Sequence, residues 1–263
     1  MAAHTLPNWR AHGGAALRMA HIFLSDGRRL RLRLFPKPKG KPPKRAPAKP
    51  EPASLFARPD DDEVVVAAAE TMAARVMGLV MLNRGNAAIL ERFNELGIRD
   101  WWLTSGCIAQ TVWNLRSGRP AEEGIRDYDV VYFSEDETEE AEDQVIRDSA
   151  KMFADLPAPL EVRNQARVHL WYPEKYGVNV SRLENASEGI LRFPSTTTAV
   201  GVRRTGEDYL DVFAPFGLTN IWDMVVKPNR ALPISNIYAE KSARWQKQWP
   251  QLVVRPWVIE EED

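Results

Sequence analysis

Ser105 to Phe133 reads SGCIAQTVWNLRSGRPAEEGIRDYDVVYF, and the parsing of this stretch decides the fold. Its last part, Ile125 to Phe133, is rich in β-branched and aromatic residues and reads as a strand. That strand carries two aspartates two residues apart, Asp127 and Asp129. Side chains alternate along a strand, so the two carboxylates point one way and Tyr128 the other. Like charges so close repel unless a cation lies between them. A hard divalent cation such as Mg²⁺ takes carboxylate oxygens and keeps positions open for phosphate oxygens. The competing reading is a solvated acidic strand start, with Asp127 capping the turn after Arg126.

Upstream, Ile98 to Thr104 (IRDWWLT) reads as a short aromatic-rich strand. Ser105-Gly106-Cys107 breaks it. Ile108, Val112 and Leu115 then fall on one side of a helix closed by Ser117-Gly118-Arg119-Pro120. The break places a helix N-terminus beside Gly106, where free backbone N–H groups and the helix dipole favour phosphate. A purely structural turn fits the same residues.

Further out, Val64 to Gly97 reads as helix with Gly97 as its stop. Asp136 to Leu156 is a long acidic helix ended by Pro157-Ala158-Pro159. Leu160 to Tyr172 reads as a third strand. Its period of two places Glu161, Arg163, Gln165, Arg167 and His169 on a polar face, and a mostly apolar set opposite. Water on one side of an amphipathic strand explains that alternation; so does a surface for phosphate or bases, since these are forked or planar hydrogen-bonders. Strand, glycine turn, helix, strand, helix, strand is an α/β (α+β) core.

The 263-residue chain is 44% hydrophobic and 27% charged, ordinary for a globular protein. No apolar run is long enough for a membrane helix, and Ala15 to Leu24 is too broken by Arg18 and His21 for a secretory signal. Cys107 is the only cysteine, which excludes an intramolecular disulfide and agrees with a cytoplasmic setting. Residues 1–58 hold 13 Lys and Arg against Asp26 and Glu51, about +11; the whole chain is −1, so the rest carries about −12. Residues 1–59 are also proline-rich, which predicts a disordered basic tail ahead of one domain at 60–263. A solvated linker, a polyanion contact or a targeting presequence all fit that tail.

The glycine turn, the Asp-x-Asp strand and one acid on a later strand resemble the nucleotidyltransferase fold of the DNA polymerase β-like superfamily. SGCIAQTVWN, GIRDYDVVYF, LEVRNQARVHLWY, APFGLTNIWDMVVKPN and KSARWQKQWP carry the resemblance to a bacterial family formerly of unknown function. It implies a small mixed sheet flanked by helices and Mg²⁺-dependent (or Mn²⁺-dependent) transfer of a nucleotidyl group from an NTP to an acceptor hydroxyl. It also implies that Asp127, Asp129 and Glu161 are the catalytic metal ligands. Ser105, Gly106 and the Cys107 backbone would cradle the triphosphate; the polar row Arg163, Gln165, Arg167 and His169, read from the strand alternation, is expected to line the nucleotide site. Two departures stand out: Cys107 replaces the usual Gly or Ser of the turn, and the third acid is Glu rather than Asp. The alternative is a nucleotide-binding or scaffolding protein that keeps the fold without turnover, with or without polyanion contact through the tail. The sequence leaves the acceptor, the preferred NTP and the oligomeric state open.

Overall fold

The computed structural model describes residues 71–205 and 210–257 in full, and residues 19–23, 29–32, 61–70 and 209 as backbone. Seven strands form one mixed sheet in the order β2-β1-β7-β6-β3-β4-β5. These are β1 (Met19–Phe23), β2 (Arg29–Leu32), β3 (Trp101–Thr104), β4 (Tyr128–Tyr132), β5 (Leu160–Asn164), β6 (Gly201–Thr205) and β7 (Tyr209–Phe213). A separate pair joins β8 (Val225–Val226) to β9 (Val253–Val254). Two of the sheet strands fall inside the segment expected to stay unpacked: β1 runs parallel to β7, and β2 pairs with β1 at the edge. The rest of the expected tail lies outside the described residues.

The strand directions that sequence left open are now fixed. β3 is antiparallel to both β4 and β6, and β4 is parallel to β5. A parallel neighbour needs a crossover helix, and α4 (Glu139–Met152) supplies it. Thr138 caps α4 by accepting from the Ala141 N–H, and three glutamates in the first turn suit the helix dipole.

One face of the sheet packs on the larger core. Trp101, Leu103, Tyr128, Val130, Tyr132 and Val162 meet α1 (Asp61–Val80), α2 (Arg84–Arg92) and α3 (Gly106–Arg116) there. α8 (Ser235–Gln248) joins through Trp245, which packs edge-on against Trp113. The other face is covered in part. Trp102, Val131 and Ala199 pack under α6 (Ala186–Ile190), and beyond that patch the N-terminal ends of β4 and β5 stay open.

The single helix expected over Val64 to Gly97 is two helices. The first ends at Val80, and Asn83 caps the second, its side chain accepting from the Gly85 and Asn86 N–H groups. Gly97 does stop the segment, with φ 75°. The third strand is shorter than expected. Asn164 accepts from the Ala166 and Ser134 N–H groups and donates to the Ser134 and Asp136 carbonyls, turning the chain out of the sheet. A 3-10 turn at Gln165–Arg167 and α5 (Val168–Tyr176) follow. The row of alternating polar residues therefore stops at Arg163.

Candidate active site

Tyr128, between the two aspartates, sets the position of the whole motif. Its hydroxyl donates to Asn83 Oδ1 at 2.9 Å. Its ring lies so close over Gly85 that a Cβ there would come within 2.2 Å of it. Asn83 also donates to Thr111 Oγ1 at 2.8 Å, which ties the α1–α2 corner to α3. A Tyr128 clamped on the core side leaves Asp129 facing the open side.

Across the strands, Asp129 is in register with Thr104 on β3 and with Glu161 on β5. Directly opposed residues share a face, so the Asp129 and Glu161 side chains rise from neighbouring strands on the open side. Asp127 lies one residue ahead of β4 and is half-buried. Burial, then the charge of Asp127, and more weakly that of Glu161, push the Asp129 carboxyl up to about 7. The Lys241 ammonium on α8 and a hydrogen bond from Ser105 pull the other way.

Ser105 holds the turn between β3 and α3 at φ 68°, ψ −135°, a conformation that a residue with a side chain adopts at a cost. Its N–H donates to the Val200 carbonyl at 3.3 Å, and Thr104 Oγ1 donates to the same oxygen at 2.5 Å. Gly106 opens α3, and the space its missing Cβ leaves is occupied by the end of the Gln110 side chain. Cys107 is fully buried and its thiol donates to the Thr104 carbonyl at 3.2 Å. Burial, with the nearby Asp129 charge, raises that thiol well above its ordinary range, so it stays protonated beneath the turn. Only the backbone of Cys107 is available to a phosphate.

Three residues expected in the nucleotide site are engaged elsewhere because β5 ends early. Gln165 is buried against Gly189 and donates to the Arg163 carbonyl. Arg167 donates to Glu142 Oε2 at 2.8 Å and to the Glu137 carbonyl. His169 Nδ1 lies 2.8 Å from the Ala166 carbonyl, and its Nε2 lies 3.8 Å from Glu137. Arg163 keeps its place on the open face beside Glu161. Lys241 is the residue that sequence reasoning missed; it sits in the quoted run KSARWQKQWP, but nothing in that run says that α8 returns to the β4 end.

The donors on the open face are all carboxylate oxygens, and their charges work against one another. That set suits a hard divalent cation, whose charge would relieve the repulsion. Among the described residues no three His, Cys, Asp or Glu side chains are disposed to hold a metal ion as they stand.

A nucleotidyltransferase family model matches residues 91–254, more than half of the chain, from the end of α2 to β9. The chain belongs to this nucleotidyltransferase family. A solved structure, described as an NMR structure that reveals a CCA-adding enzyme head domain, is 23% identical, with a TM-score of 0.57. The match covers 69% of this chain and 94% of that one and shows the shared fold. Among curated proteins none matches. Family and fold together support a transferase of the nucleotidyl type. Among the described residues no helix of this chain is long and apolar enough to cross a membrane.

Proposed function

We propose that the protein transfers a nucleotidyl group from an NTP to an acceptor hydroxyl with Mg²⁺ or Mn²⁺, in the cytoplasm. The observation that carries this reading is the register of Asp129 with Glu161, with Asp127 two residues before Asp129, beside the β3–α3 turn. Asp127 and Asp129 would hold the cation, with Glu161 as the third carboxylate. When bound, the cation would offset the negative charge that develops on the reacting phosphate.

The chain's own residues do the rest. Backbone N–H groups at Gly106 and Cys107 point from the start of α3 and hold the triphosphate, helped by the helix dipole. The Ser105 side chain favours the charged form of Asp129. Lys241 places a positive charge beside the same carboxylate and serves the phosphates from the α8 side. Near neutral pH Asp129 carries a proton for part of the time, and its charged form, the one that would hold a cation, is favoured as pH rises above about 7. Glu161, exposed on the edge strand, takes the proton of the attacking hydroxyl.

A second reading, nucleotide binding without turnover, draws on the lack of a three-acid group at ligand spacing among the described residues. NTP consumption with Mg²⁺ separates the two. Wild type should turn over, and Asp129→Asn should lose on the order of 10²–10³-fold, the scale of one lost electrostatic group in a reaction centre. Equal rates for the two proteins would overturn the enzyme reading.

A further inference from the structure

The open face continues past Glu161. Arg163 follows it on the same side of β5, about 7 Å away by the rise of a strand. Arg163 is exposed, and among the described residues its guanidinium has no ion pair or hydrogen bond. It borders a cavity of about 540 Å³ whose other walls are Glu142 of α4 and Trp171, Glu174 and Lys175 of α5.

The wall chemistry is selective. Trp171 belongs to neither apolar cluster and is only half-buried; its indole packs in a small aromatic group with Tyr172 and Tyr176, ring centroids 5.7 and 6.3 Å away, and is left partly open to the cavity. Lys175 Nζ lies 5.5 Å from the Trp171 ring centroid. Glu142 has both oxygens committed, one to the Asn164 N–H and one to Arg167. The cavity thus presents a flat π surface, two cations and a single uncommitted carboxylate, Glu174. A flat base stacks on such an indole, and a phosphate suits the paired cations. A purely apolar or a polycationic ligand finds no such match.

We propose that this cavity is the acceptor pocket and that the acceptor carries a nucleotide, either free or as the end of a single strand. This rests on the reading of Asp127, Asp129 and Glu161 as the reaction centre. The acceptor base stacks on Trp171, its phosphate meets Arg163 and Lys175, and its hydroxyl reaches Glu161. In the transfer the hydroxyl oxygen forms a bond to the α-phosphorus of the NTP, and the bond from that phosphorus to the bridging oxygen breaks. Pyrophosphate leaves with the electron pair, and the hydroxyl proton passes to Glu161 and then to water.

Calorimetric binding to the full chain, without NTP or divalent cation, tests the pocket. The probes are adenosine 5′-monophosphate, a short single-stranded oligoribonucleotide and inorganic phosphate. One or both of the first two should bind more tightly than phosphate, and which of them binds tells a free nucleotide from a strand end. Trp171→Ala should weaken binding about tenfold, and Trp171→Phe should restore most of it, which separates stacking from misfolding. Arg163→Ala should lower both affinity and salt dependence. Asp129→Asn should bind the probe as wild type does, even though the reading above has it lose turnover. The pocket assignment is overturned if neither nucleotide probe binds, if Trp171→Ala binds like wild type, or if NTP competes for the same place. Normal turnover in Asp129→Asn together with Trp171-dependent binding would instead overturn the reaction centre and leave the pocket standing.

Discussion

The two faces of β4 are built on opposite principles. On the core side Tyr128 is fully buried, its hydroxyl is bonded to Asn83, and its ring fills the space over Gly85. On the open side Asp129 is crowded by Asp127 and Glu161, and burial makes its charge costly. One residue step separates a satisfied contact from a frustrated one. The difference teaches that the core face supplies the stability, whereas on the open face neighbouring carboxylates raise one another's cost of ionisation, which Lys241 and Ser105 offset only in part.

The largest expected effect comes from the core face. Tyr128→Ala should cost about 3–5 kcal/mol in denaturant unfolding, the range for deleting a buried aromatic ring. Tyr128→Phe keeps the ring and should cost only about 1 kcal/mol. A small loss for the alanine variant would break the comparison.

The open face should respond with the opposite sign. A folded carboxyl at about 7 against an ordinary 3.8 means that, between those values, the folded protein holds a proton that the unfolded chain has released. Wild-type stability from this group therefore falls as pH rises from about 4 to 7, and the penalty stays above 7. Asparagine does not ionise. Without divalent cations, Asp129→Asn should be more stable than wild type at pH 8 by roughly 2–4 kcal/mol, with the gap closing near pH 4. Added Mg²⁺ should stabilise wild type and leave the variant unchanged. Thermal unfolding across pH reads both.

The smallest effect belongs to the turn between the faces. At position 105 the left-handed φ penalises any side chain, so Ser105→Ala should be less stable than Ser105→Gly by about 1 kcal/mol. That reverses the order expected inside a helix, and urea titrations of the pair will show it.

Much of this was legible in the chain because it depends on local rules. Alternation placed Tyr128 opposite Asp129, and the glycine turn located the start of α3. Two asparagines hid the rest. Asn83 splits an alanine-rich run whose flanks on both sides favour helix, and Asn164 bends a strand whose polar alternation continues beyond it. In both, an asparagine side-chain oxygen accepts from backbone N–H groups at the start of the next element, and the period of the surrounding residues does not register it. Lys241 was hidden for another reason: 112 positions separate it from Asp129, and only tertiary packing brings them together.

The β5 rim has one more consequence. β5 ends the sheet, and a bare outermost strand invites pairing by another polypeptide. Here the Asn164 N–H is already given to the Glu142 carboxylate at 2.8 Å, and Arg167 fastens that carboxylate from its other oxygen. An incoming chain would have to displace this anchored anion to pair along the border.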